Sequence, residues 1–93
     1  MPLTLLVCYD IADDGRRDDV SSLLTALGPR VQQSVFECSV TDRAALRTLL
    51  GQLASLVDPH QDQVRVYNLG SRPASPTLVG TRTLEEWRDF WII

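Results

Sequence analysis

The run Leu3-Thr4-Leu5-Leu6-Val7-Cys8-Tyr9 leads directly into Asp10, and Arg16 and Arg17 follow six and seven positions later. A carboxylate at the end of a buried strand is a common place for a functional group, because the strand fixes it while its end meets solvent. Arginine is the residue type that grips phosphate oxygens in a bidentate fork. Taken alone, Asp10 equally suits the start of a turn or the cap of a following helix. His60 is the only histidine, beside Pro59 in an Asp-Pro-His-Gln stretch that reads as a loop. No histidine therefore lies in a matching segment to activate Ser34 as a nucleophile, and shaping a strand junction is its expected part. Cys8 and Cys38 are too few for a disulfide framework and lack metal-site spacing. Both are read as buried free thiols in a reducing compartment.

The elements that must carry these residues follow from periodicity. Leu3 to Tyr9 is apolar on both sides, the pattern of a central strand covered on both faces. Asp13 or Asp14 caps a first helix, with Asp18 and Asp19 early enough to suit its dipole. Val20, Leu23, Leu24 and Leu27 keep the i, i+3, i+4, i+7 spacing of one helical face. Gly28-Pro29 stops that helix, the glycine being read as tolerant of cap geometry and the proline as unable to continue. Arg30 to Val40 is rich in β-formers, with Gln32-Gln33-Ser34 marking a tight turn between two short strands. Thr41 or Asp42 caps a second helix with its face on Leu46, Leu49, Leu50 and Leu53, closed by Leu56 and Val57. Asp58-Pro59 ends it. Val64 to Leu69 is a further strand, terminated by Gly70.

The order is β-α-β-β-α-β, a split βαβ arrangement of the ferredoxin-like α+β class, in which two helices cover one face of an antiparallel sheet. The first strand is apolar on its other face too, and a second copy of the same sheet is the simplest cover. A homodimer is thus expected from patterning alone, and 93 residues is a size at which a shared core helps. Residues 1–70 form this domain and residues 71–93 an extension. Within the extension, Ser71 to Pro76 is a linker and Leu78-Val79 a short strand that adds to the partner subunit's sheet. Leu84, Trp87, Phe90, Trp91, Ile92 and Ile93 gather as an aromatic end suited to a dimer or partner contact. There are no internal repeats and no low-complexity segments.

Twelve acidic residues against nine basic ones give a net charge of −3, which excludes a broadly basic nucleic-acid surface. All nine basic residues are arginine, so contact with phosphate would come from a few placed guanidinium groups. No apolar stretch reaches bilayer length, and the N-terminus lacks a basic region and a cleavage site. The expectation is a cytoplasmic protein with no membrane association.

Taken in order, Tyr9-Asp10-Ile11, Arg16-Arg17 and Gly28-Pro29-Arg30-Val31-Gln32-Gln33-Ser34-Val35-Phe36-Glu37 resemble the signature of the CRISPR-associated Cas-two family, followed at the right distance by Asp62-Gln63-Val64-Arg65-Val66-Tyr67. The resemblance covers residues 3 to 70. It implies a ferredoxin-like homodimer that brings two Asp10 carboxylates together across its axis, with Asp10 as catalytic residue and ligand of a divalent metal, typically Mg2+. It implies that Arg16, Arg17 and Arg30 lie near the phosphate backbone and that Tyr9, Ser34 and Phe36 support the active region, Phe36 chiefly by packing. The implied activity is metal-dependent endonuclease cleavage of RNA or DNA phosphodiesters within a spacer-acquisition complex. The second role implied is that of a non-catalytic dimeric scaffold bridging Cas-one integrase subunits and holding duplex DNA. A ligand-sensing domain of the same fold would leave the ordered motifs unexplained.

Overall fold

A computed structural model describes residues 2–71 and Val79. The elements are β1 (Leu3–Asp10), α1 (Asp14–Thr25), β2 (Arg30–Gln32), β3 (Val35–Val40), α2 (Arg43–Leu56) and β4 (Gln63–Asn68). The four strands form one sheet in the order β2-β3-β1-β4, and every neighbouring pair is antiparallel. Each helix therefore connects two strands that are parallel but separated by a third, as the ferredoxin-like order requires. The expected α+β class and element order are both present.

β1 is central because both of its edges are paired, to β3 from Leu3↔Val40 to Cys8↔Val35 and to β4 from Leu5↔Asn68 to Asp10↔Gln63. Its alternating side chains divide between two faces. Leu5, Val7 and Tyr9 join Phe36, Cys38 and Val40 of β3 under the helices, where they pack with Val20, Leu24, Leu49 and Leu53. Leu6 and Cys8 point to the opposite face and are half-buried in the single chain.

The caps resolve in favour of one residue each. Asp13 accepts from the Arg16 N–H at 2.9 Å and starts α1, and Asp42 accepts from the Ala45 N–H at 2.8 Å and starts α2. Leu27 packs on the core from the turn beyond α1, not from the helix itself. Leu50 is 43% exposed, so the α2 stripe is narrower than its leucine content suggests.

Gly28 has a different purpose from the one its sequence context implied. Among the described residues only Gly70 takes a left-handed backbone, at φ 85°. At Gly28 a Cβ would stand 1.8 Å from the Glu37 carbonyl oxygen. Residues 27–29 run against β3, with Ser39 N–H donating to Leu27 O and Glu37 N–H to Pro29 O, both at 3.0 Å. Only a residue without a side chain fits that approach. Cys38 is buried as expected, and burial pushes its thiol up to about 11, whereas Cys8 is only half-buried. Among the described residues no helix is long and apolar enough to cross a membrane. The strand expected around Leu78-Val79 and the aromatic end from Leu84 to Ile93 lie outside the described residues, apart from Val79, which is fully exposed and in no strand.

Candidate functional site

Asp10 is the last residue of β1, exposed, and on the sheet face away from the helices because it alternates with buried Tyr9. The β1–β3 ladder stops at Cys8↔Val35, so the chain beyond it passes the Gln33-Ser34 turn, where the Tyr9 N–H donates to Ser34 O at 3.0 Å. The result is an open cleft of about 550 Å³ whose walls include Asp10, Arg17, Gln32, Gln33 and Ser34. Among the described residues the Asp10 carboxylate makes no hydrogen bond or ion pair. No group of three or more His, Cys, Asp or Glu side chains is gathered there or elsewhere in the described residues.

The named residues separate. Tyr9, Asp10, Arg17 and Ser34 come together at the cleft. Phe36 does not line it: it is 1% exposed and stacks on Tyr9 with ring centroids 6.2 Å apart. Its contribution is packing, as its size and apolar character suggest. Arg30 sits over the Phe36 ring at 5.3 Å and donates to Ser21 Oγ at 2.6 Å. Arg17 is exposed but folds back on the backbone, giving Nε and Nη2 to the Ile11 carbonyl oxygen at 3.3 and 3.1 Å and Nη1 to the exposed Asp14 at 2.8 Å. Asp14 is the one of the four acids around the arginine pair that forms an ion pair with either.

Arg16 is committed elsewhere. Its Nε donates to Asp62 Oδ2 at 2.8 Å and its Nη2 to Oδ1 at 3.3 Å, a fork on a carboxylate with no exposed side-chain surface. Asp62 also accepts from the Ala12 N–H at 3.0 Å and the Asp58 N–H at 2.8 Å. The Arg16 hydrogen bonds, helped by the two backbone donors, hold the Asp62 carboxyl well below the usual carboxylate range despite burial. The same contact raises the Arg16 guanidinium. Asp62 opens the last of the ordered motifs, but motif reading gives it no role at the site. It stands just before a strand in a polar stretch, and nothing in Gln61-Asp62-Gln63 signals that a partner waits 46 residues earlier.

A strand-end carboxylate left free, beside a polar turn and an arginine bound to the Ile11 carbonyl, sits on the segments that carry the ordered motifs. The family described as CRISPR associated protein Cas2 matches residues 3–75. The chain belongs to the Cas2 family. Among its relatives, the CRISPR-associated endoribonuclease Cas2 3 of Chloroflexus aurantiacus is 39% identical over 79 residues, covering 85% of this chain and 84% of its own. The CRISPR-associated endonuclease Cas2 2 of Thermus thermophilus is 37% identical over 87 residues, covering 94% and 92%. A chain in a solved partial Cas6-RT-Cas1–Cas2 complex matches the fold with a TM-score of 0.63 at 33% identity, over 73% of this chain and 79% of that one. Cas2 relatives thus carry nuclease names, and one structural match comes from an assembly containing Cas1.

Proposed function

We propose that this chain works as a homodimer in CRISPR adaptation and cleaves phosphodiester bonds with a divalent metal, magnesium by its oxygen chemistry, held at Asp10. The observation that carries the reading is the Asp10 carboxylate: exposed, without a protein partner among the described residues, and fixed at the end of the central strand by pairing with Gln63 of β4. Magnesium keeps several waters and needs few protein ligands, so one carboxylate from each of two subunits suits it. When bound, the ion would polarise a phosphodiester and lower the pKa of a water. The chain's own residues supply the rest. Asp10 holds negative charge at the cleft, Gln33 and Ser34 line the opposing turn, and Arg17 anchors the backbone beside it. Support for the dimer comes from the sheet face without helices, where Leu6 and Cys8 lie between Val35 and Glu37 on one side and Arg65 and Tyr67 on the other. Tyr67 is 46% exposed and Leu69 50%. A second copy would cover these apolar groups.

A second reading, a non-catalytic dimeric scaffold that binds duplex DNA and bridges Cas-one integrase subunits, is favoured by a separate observation. All three candidate phosphate ligands already serve protein acceptors, Arg16 at Asp62, Arg17 at Ile11 O and Asp14, and Arg30 at Ser21 Oγ, and the cleft offers the Asp10 carboxylate in place of a ligand cluster among the described residues. The kinship with a chain from a Cas1-containing assembly points the same way. One substitution separates the readings. Asp10→Asn abolishes magnesium-dependent cleavage of labelled RNA and DNA if Asp10 is the metal ligand, and cleavage that persists in the variant or in chelator rules that mechanism out. If the wild-type protein cuts nothing across metals and pH, and Asp10→Asn leaves spacer acquisition unchanged, the scaffold is the function.

A further inference from the structure

The chain just beyond Asp10 is held at one peptide unit from both sides. The carbonyl oxygen of the Ile11–Ala12 peptide accepts from Arg17 Nε and Nη2 at 3.3 and 3.1 Å. The N–H of the same peptide donates to Asp62 Oδ1 at 3.0 Å. Asp62 is itself immobilised, its side chain out of solvent and its two oxygens occupied by Arg16 Nε at 2.8 Å, Arg16 Nη2 at 3.3 Å and the Asp58 N–H at 2.8 Å. A charged acceptor with every partner inside the protein holds a donor in one direction, because no water competes for its lone pairs. The Asp10 side chain, by contrast, has no hydrogen bond of its own among the described residues. Its place is set by backbone alone: by the β1 ladder before it and by the Ile11–Ala12 peptide after it.

We propose that Asp62, acting through the Ile11–Ala12 peptide, is the positioning residue that determines where the Asp10 carboxylate stands. Asp62 does not touch the reacting atoms. It gathers three separate segments onto one carboxylate: the turn after β1 through Ala12, helix α1 through Arg16, and the turn before β4 through Asp58. Release of the Ala12 N–H would let the peptide plane rotate and carry Asp10 with it, and a displacement of about 1 Å at a working group can lower a rate about a hundredfold. The proposal rests on Asp10 as the working carboxylate only for its effect on cleavage, since its effect on geometry can be read without any activity.

The test uses the full chain with Asp62→Asn, which keeps the shape, removes the charge and turns one of the two acceptor oxygens into a donor. Arg16→Gln is the second variant: it leaves Asp62 in place but withdraws two of its four donors and is the milder lesion if Asp62→Asn does not fold. Carboxyl and amide NMR resonances of Asp10 and Ala12, compared with those of β3, report position directly. Both variants are expected to shift Asp10 and Ala12 while β3 is unchanged, and to speed Ala12 amide exchange. Unchanged Asp10 resonances in a folded variant overturn the proposal. Cleavage and Mn2+ titration, corrected for the folded fraction, add the functional arm: kcat and Mn2+ affinity fall about tenfold to a hundredfold in Asp62→Asn, with KM held within about twofold. A variant that is merely less stable, with kcat and Mn2+ affinity per folded chain equal to wild type, also overturns it. If Asp10→Asn changes neither cleavage nor Mn2+ binding, it is the metal reading that fails, and the resonance shifts still decide the positioning role.

Discussion

Two aspartates lie within one residue of each other across the β1–β4 ladder: Asp10 is paired with Gln63, and Asp62 precedes Gln63. Asp62 is out of solvent and receives four hydrogen bonds, two of them from an arginine fork. Asp10 is exposed and receives none among the described residues. A carboxylate surrounded by donors is bound to the protein and has no capacity left for a ligand, whereas one held only by its backbone keeps its full capacity for a cation. The same division runs through the arginines. Arg16 belongs to Asp62, and Arg17 belongs to the peptide that separates the two aspartates. Unused hydrogen-bonding capacity at this corner is therefore left on the Asp10 carboxylate, while Asp62, Arg16 and Arg17 are engaged with the protein.

The strongest test of that division is the packing beneath it. Phe36 is buried, stacks on Tyr9 and takes no part in the cleft, so Phe36→Ala should destabilise the fold by about 3–5 kcal/mol in urea titration. A loss of cleavage at constant stability would instead place Phe36 with Asp10 in the site. Next in size is the contrast between the two carboxylates. Asp10→Asn should leave the urea midpoint where it is while removing metal-dependent cleavage, and Asp62→Asn should lower the midpoint. Equal midpoints for the two variants would erase the distinction between a free and a committed carboxylate.

The open sheet face offers a test of intermediate size. Leu6 is its central apolar residue, between Glu37 and Tyr67. Sedimentation at micromolar concentration should give twice the 10.4 kDa chain mass for the wild type and the single mass for Leu6→Arg. A wild-type monomer would break the dimer reading and with it the paired Asp10 carboxylates.

The smallest expected effect is on acid stability. Asp62 has its carboxyl depressed in the folded state, so the unfolded chain binds the extra proton first and stability rises with pH in that range. The contribution is fully present above the unfolded value of about 3.9 and is lost as pH falls below it toward the folded value. Urea midpoints at descending pH should therefore fall more steeply for wild type than for Asp62→Asn. Parallel curves would mean that the Arg16 fork contributes nothing to the ionised form.

Much of the frame was legible in the sequence. The two-sided apolar run from Leu3 to Tyr9 required a doubly paired strand, and the spacing of Val20 and Leu24 and of Leu49 and Leu53 required two helices over one face. Asp10 could be singled out because strand patterning and its position at the strand's end are local properties, read over a few residues. The choice of Asp13 over Asp14, or Asp42 over Thr41, was not legible, since either residue has the chemistry to cap and backbone geometry selects one.

The partnerships were out of reach for a different reason. Arg16 has acids at Asp13, Asp14, Asp18 and Asp19 close in sequence, yet its fork closes on Asp62. Gly28 reads as a helix stop, yet its missing side chain answers to the Glu37 backbone. Composition and periodicity decide which segments become strands and helices and which face each one buries, because those preferences are summed over neighbouring residues. Which charge meets which, and where a backbone must pass without a Cβ between, depends on segments tens of residues apart, and only the packed sheet and helices bring them within hydrogen-bond distance.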